Sequence, residues 1–145
     1  MPYHFEFDPR VKVLRVRFRG TVTDELLSEF YNRVEAFVAY TKATSGITDF
    51  SEVTSFRASS GTVRRLAQGP PAAKSPIKHR VIVAVTPHQY AMSRMFHILG
   101  EETRPGLKVV RSQHEAYEVI GIKDPVFEEI VLPQSPDSEA LESAP

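Results

Sequence analysis

Gly46-Ile47-Thr48-Asp49-Phe50-Ser51-Glu52-Val53-Thr54-Ser55-Phe56-Arg57-Ala58-Ser59-Ser60-Gly61-Thr62-Val63-Arg64-Arg65-Leu66 is the stretch on which the fold turns. It reads as a short strand ending at Phe50, a polar loop, and a helix announced by Ser59-Ser60-Gly61. Consecutive serines ahead of helix formers are N-cap residues, because a side-chain oxygen accepts from the unpaired amides of the first turn. The same amides and the positive end of the helix dipole favour an anion there. Any functional centre is therefore expected at this helix start.

Towards the N-terminus, Tyr3, Phe5 and Phe7 alternate with His4 and Glu6, the pattern of a half-buried strand. Asp8-Pro9-Arg10 suits a turn. Leu14, Val16 and Phe18 then alternate with Arg15, Arg17 and Arg19, so the two strands form an antiparallel hairpin. Thr23 caps a helix with Asp24 and Glu25 in its first turn, and Leu26, Leu27, Phe30, Tyr31, Val34, Phe37 and Val38 make a wide apolar face. This helix is expected to end near Ala43. Its aromatic residues read as core rather than as a ligand box.

Towards the C-terminus, the second helix buries Val63, Leu66 and Ala67 and stops by Gly69-Pro70-Pro71. The Pro, Ala, Lys and Ser residues up to Pro76 read as a plain exposed connector. Arg80-Val81-Ile82-Val83-Ala84-Val85 is a strand covered on both faces. Thr86-Pro87 opens a third helix with Ala91, Met95, Ile98 and Leu99 inward and Gly100 as its stop. Leu107 to Val110 is a further strand. Ser112 and Glu115 form a capping box for a last helix that turns Ala116, Tyr117, Val119 and Ile120 inward and ends at Gly121. A short extra helix is expected over residues 123–131, and an acidic, Pro/Ser-rich disordered tail over 132–145. The order β-β-α-β-α-β-α-β-α predicts an α/β domain over residues 1–122 with a mainly parallel sheet, an N-terminal antiparallel hairpin strand and about four helices.

Asp49-Phe50-Ser51-Glu52-Val53-Thr54, followed by Ser59-Ser60-Gly61, resembles the D-L-S-x-V … D-S-S-G signature of STAS domains, the module of anti-sigma factor antagonists and sulfate-transporter tails. With the matching order of elements the resemblance spans roughly residues 3 to 122. It implies a STAS-like fold, a signalling role, and a phosphorylated serine corresponding to Ser59, with Ser60 beside it. Ala58 stands where the family has aspartate, and one extra residue falls around Ser55.

One domain accommodates 145 residues, and a chain of this size buries roughly two-thirds of its unfolded surface. Cysteine is absent, which removes disulfides, thiolate nucleophiles and Cys-based zinc sites. No apolar run reaches membrane-spanning length, and the first residues lack the regions of a secretory signal, so the expectation is a cytoplasmic protein. Formal charge is zero, with 18 basic and 18 acidic residues. The chain ahead of the acidic tail is mildly basic, too weakly to argue for nucleic acid.

The five histidines form no pair at metal-ligand spacing, and neither a nucleophile elbow nor a phosphate-binding glycine loop is present. The sequence therefore predicts a non-enzymatic module without cofactor or metal. In the first reading it binds a protein partner, a regulatory kinase or a sigma/anti-sigma-type regulator, under control of Ser59, whose phosphate would meet Arg57 and Arg64. In the second, Asp49, Arg57, Gly61, Thr62 and Arg64 with the serines hold a small anionic ligand, a nucleotide or lipid among the candidates. There, helix one and the Pro-rich segment cover an apolar pocket beside the site. Ser59 as a plain helix cap is the third reading. A monomer or a weak homodimer through the hairpin edge completes the expectations.

Overall fold

A computed structural model describes residues 2–133. Strands β1 (Tyr3–Asp8) and β2 (Val13–Val22) pair antiparallel with Tyr3 opposite Phe18 and Phe7 opposite Leu14, as their alternation predicts. Helix α1 (Asp24–Thr41) follows, capped by the Thr23 side chain, which accepts from the Leu26 amide. It stops at Lys42, in the left-handed region at φ 58°, four residues after Val38, the last buried position of its apolar face.

Strand β3 (Ser45–Phe56) is longer than its sequence pattern suggests. The polar loop expected after Phe50 is strand, because β2 runs on to Val22 and offers it a parallel partner. Arg19 faces Glu52, Gly20 faces Val53 and Thr21 faces Ser55, so Thr54 is the extra residue of a bulge. Helix α2 (Ser60–Gln68), β4 (His79–Val83), α3 (Pro87–Leu99), β5 (Leu107–Val110), α4 (Gln113–Ile120) and a two-residue β6 (Glu128–Glu129) complete the chain. The six strands form one mixed sheet in the order β5-β4-β3-β2-β1-β6, parallel from β2 to β5 and antiparallel at β1 and β6. The α/β architecture is the one the pattern predicts.

The period-two alternation sorts apolar side chains to opposite faces. Phe5, Val16, Phe18, Phe50 and Ile82 pack under Phe30, Phe37, Leu66 and their neighbours from α1 and α2. On the other face Val13, Ile47, Val81 and Val83 meet Ala116 of α4. The aromatic residues of α1 belong to the core, with Phe37 stacked on Phe5 at 3.7 Å between ring centroids.

Three local expectations are corrected. Helix α3 turns Gln89 and Ser93 inward and leaves Ala91 and Leu99 exposed and Ile98 59 % exposed. Gln89 is buried because its side chain accepts from the Val85 and Thr86 amides, closing a capping box with Thr86. At α4, Ser112 caps Glu115, but the Glu115 carboxylate accepts from the Arg111 amide rather than from that of Ser112. Residues 123–131 contain no helix. Asp8 accepts from the Val126 amide at 2.8 Å, Phe127 lies over the Arg15 guanidinium at 4.0 Å, and Glu128–Glu129 pair with Glu6 and Phe7. This segment therefore covers part of the hairpin edge that was expected to be open to a second copy. Leu132 packs on the main core, and the expected disordered tail otherwise lies outside the described residues.

Candidate functional site

Ser59 caps α2 as its sequence context predicts: its hydroxyl accepts from the Thr62 amide at 3.2 Å. The anion at this helix start is supplied by the protein itself. Asp24, the first residue of α1, accepts from the Ser59 amide at 2.6 Å. That amide, opposed by desolvation and helped by the Ser59 and Thr62 hydroxyls and the Arg65 charge, holds the Asp24 carboxyl below its ordinary value. Ala58 is 4 % exposed and part of the core, so no carboxylate fits there. Asp24 brings a carboxylate to the serine from across the α1–α2 junction instead.

The remaining residues of the expected site disperse. Asp49 is 1 % exposed on the opposite face of the sheet, 3.2 Å from Arg17 Nε and accepting from the Ser51 amide. It belongs to a band of charge that also holds Glu6 and Arg15, and it does not meet α2. Arg57 is exposed and donates to Ser55. Arg64, Ser60 and Gly61 are exposed, and Arg65 rather than Arg64 turns back to α1, donating to Ser28 Oγ at 2.9 Å. The N-terminus of α2 thus assembles Ser59, Thr62, Asp24 and Arg65, and its anion position is filled.

A cavity lies under helix α1, where the second sequence reading set a pocket. A cavity of about 170 Å³ lies between α1, the sheet, α2, α3 and the segment Pro70–Ile77. Leu27, Phe30 and Val34 of α1, Phe50 and Ile82 of the sheet, and Phe96 of α3 are among its apolar lining. The Pro-rich stretch, expected as a plain connector, is a structural wall, since Pro71, Ala72, Ala73 and Ile77 line the cavity. Glu35 of α1 fastens this strap by accepting from the Lys74 amide and the Ser75 hydroxyl, and the Tyr31 hydroxyl donates to the Pro70 carbonyl.

Two arginines that the sequence reading passed over stand on this cavity wall. Arg104 is 3 % exposed and donates to the carbonyls of Ala67 and Leu66 at 2.8 Å, the Gly69 and Pro70 carbonyls and Tyr31, with Phe96 under its guanidinium at 4.7 Å. It closes the C-terminus of α2, where carbonyls are left over and the dipole favours a cation. Gly100 leaves it room, because a Cβ there would come within 2.5 Å of Arg104 Nη1 and force the guanidinium to shift. Among the described residues the Arg80 side chain donates only from Nη1, to the Ile77 and Pro105 carbonyls at 3.4 and 3.2 Å. Burial first, and then the charge of Arg104, pull its pKa below the ordinary guanidinium value. Neither guanidinium has a carboxylate within ion-pair distance among the described residues. The signals were the arginine opening the apolar run at residue 80 and the arginine ahead of Pro105.

Among the described residues no group of acidic, histidine or cysteine side chains could hold a metal, and no helix is long and apolar enough to cross a membrane. Compared with known proteins, the chain matches no family model and no curated sequence.

Proposed function

We propose that this protein is a small-molecule-binding module whose ligand occupies the cavity beneath α1 and the Pro70–Ile77 strap. The observation that carries the reading is a cavity of about 170 Å³ lined by residues of the main hydrophobic core. Native interiors hold few voids larger than a water molecule, and an apolar cavity of about 150 Å³ is large enough to take benzene. The strap is short, lies at the surface and is fastened to α1 through Glu35 and Tyr31, so it can open without disturbing the sheet. The role is binding, with no catalytic constellation needed. Adding 1-octanol to the protein raises its melting temperature progressively with ligand concentration, as binding to the folded state requires. A melting temperature that stays constant up to the solubility limit of octanol overturns the proposal.

A second reading, a STAS-like regulatory module switched at Ser59, draws on the contact between Asp24 and the Ser59 amide. A phosphoryl group on Ser59 adds nearly two negative charges next to that carboxylate. It would loosen the α1–α2 junction by repulsion and present a changed surface to a protein partner. Ser59→Glu is then expected to speed amide exchange at Leu26, Leu27, Thr62 and Val63, and Asp24→Asn in the same background to slow it again. Unchanged exchange in Ser59→Glu removes the switch.

A further inference from the structure

The cavity wall is mostly apolar, and its two charged members, Arg80 and Arg104, are the groups that specify the ligand. Arg80 and Arg104 both line the cavity, the Arg104 charge disfavours that of Arg80, and among the described residues no carboxylate lies within ion-pair distance of either. Arg104 is buried and Arg80 half-buried, and a guanidinium partly withdrawn from water without a counter-charge favours an anionic partner. Arg104 is already satisfied, since its two Nη atoms serve the carbonyls at the end of α2. Arg80 is different. Its Nε and Nη2 have no protein acceptor among the described residues and are not sealed from solvent, so three N–H groups of a residue that lines the cavity are free to donate. Ser93, 5 % exposed and also on that wall, makes no side-chain hydrogen bond among the described residues.

Resting on the cavity reading above, we propose that the ligand is an amphipathic anion whose carboxylate or phosphate is held by Arg80 in the field of Arg104, with its apolar body among Leu27, Phe30, Val34 and Phe96. The planar fork of arginine accepts a carboxylate or phosphate through two parallel hydrogen bonds. In a partly dry site such a pair is much stronger than in water. The apolar body supplies affinity by leaving water, and the head group fixes orientation. This places anion binding near the C-terminal end of α2, about 13 Å along the helix from the serine-capped start, where the protein's own Asp24 already serves.

The test is a calorimetric titration of the full chain with octanoate, octyl phosphate, 1-octanol and inorganic phosphate. Octanoate or octyl phosphate is expected to bind at least tenfold more tightly than octanol, and whichever is preferred identifies the head group. Inorganic phosphate alone is expected not to bind, because it lacks the apolar body. In Arg80→Met the anionic preference is expected to collapse to less than threefold. Equal affinity of the wild-type protein for octanol and both anions overturns the anion assignment while leaving the cavity reading standing. Absence of binding by any octyl compound overturns both. The wild-type comparison needs no variant and is decisive even if Arg80→Met fails to fold. Where it folds, an anionic preference that survives in Arg80→Met overturns the role of Arg80.

Discussion

Filling the cavity should stabilise the protein and abolish its binding at one stroke. At about 24 cal/mol per Å³, a void of this size costs the unliganded fold on the order of 4 kcal/mol. Ala73 is a buried residue of the strap and lines the cavity. Ala73→Leu adds three carbons to that space, a gain of about 2.4 kcal/mol at about 0.8 kcal/mol per buried methylene. Ordering the leucine side chain costs about 0.5–1 kcal/mol. The net expectation is a stabilisation of about 1.5 kcal/mol, or about 5 °C in melting temperature for a domain of this size. Urea unfolding of wild type and variant at equal slope measures it, and a parallel titration with octanol measures the accompanying loss of binding. Overpacking commonly costs about 1–3 kcal/mol, so a destabilised Ala73→Leu that still binds octanol would show that the strap does not face usable space, and the reasoning would fall.

Further perturbations test other parts of the account. Arg104→Leu leaves the Leu66 and Ala67 carbonyls without their buried donor, at about 1–3 kcal/mol each, so a loss of about 3 kcal/mol or more is expected in urea unfolding and a loss below about 1 kcal/mol counts against the capping role. Burial pushes the Asp8 carboxyl up, but the Val126 and Arg10 amides, with the Arg10 charge and the Val11 amide, outweigh it and hold its pKa below 3.8. Its contribution is therefore complete above the unfolded value and lost as pH falls through the lower folded one. An acid titration followed at the Val126 amide by NMR should show a midpoint below 3.8, and a midpoint at or above it would contradict this. Glu35→Ala removes the fastening of the strap and is expected to speed octanol exchange by several-fold with little change in melting temperature; an unchanged exchange rate would mean that the strap is not the route of entry.

The helix starts were legible because capping is local: Thr23, Ser59, Thr86 and Ser112 each accept from an amide three residues on. The hairpin was legible because its alternation is unbroken. Beyond Phe50 the bulges of β3 disrupt the two-residue rhythm, so half a strand read as loop. Helix α3 misled in its facing because two polar residues, Gln89 and Ser93, occupy buried positions that periodicity assigns to apolar ones. The extended course of residues 123–131 depends on Asp8 and Arg15, more than a hundred residues away, and no local pattern encodes it. The site divided in the same way. A pocket under helix one and the Pro-rich segment entered only in the second sequence reading, which set it beside the Ser59 site. Asp24 at the serine and Arg80 and Arg104 at the cavity were not foreseen, because aspartate in a first turn and arginine in a mixed-charge chain ordinarily belong to the surface.

Native mass spectrometry of the protein isolated under non-denaturing conditions, beside Ala73→Leu prepared identically, tests the central claim most directly. The account predicts an added small-molecule mass on the wild type, with one ligand per chain, and a bare variant. A wild type that emerges bare and remains so after incubation with octanoate and octanol, or an added mass retained equally by Ala73→Leu, would contradict it.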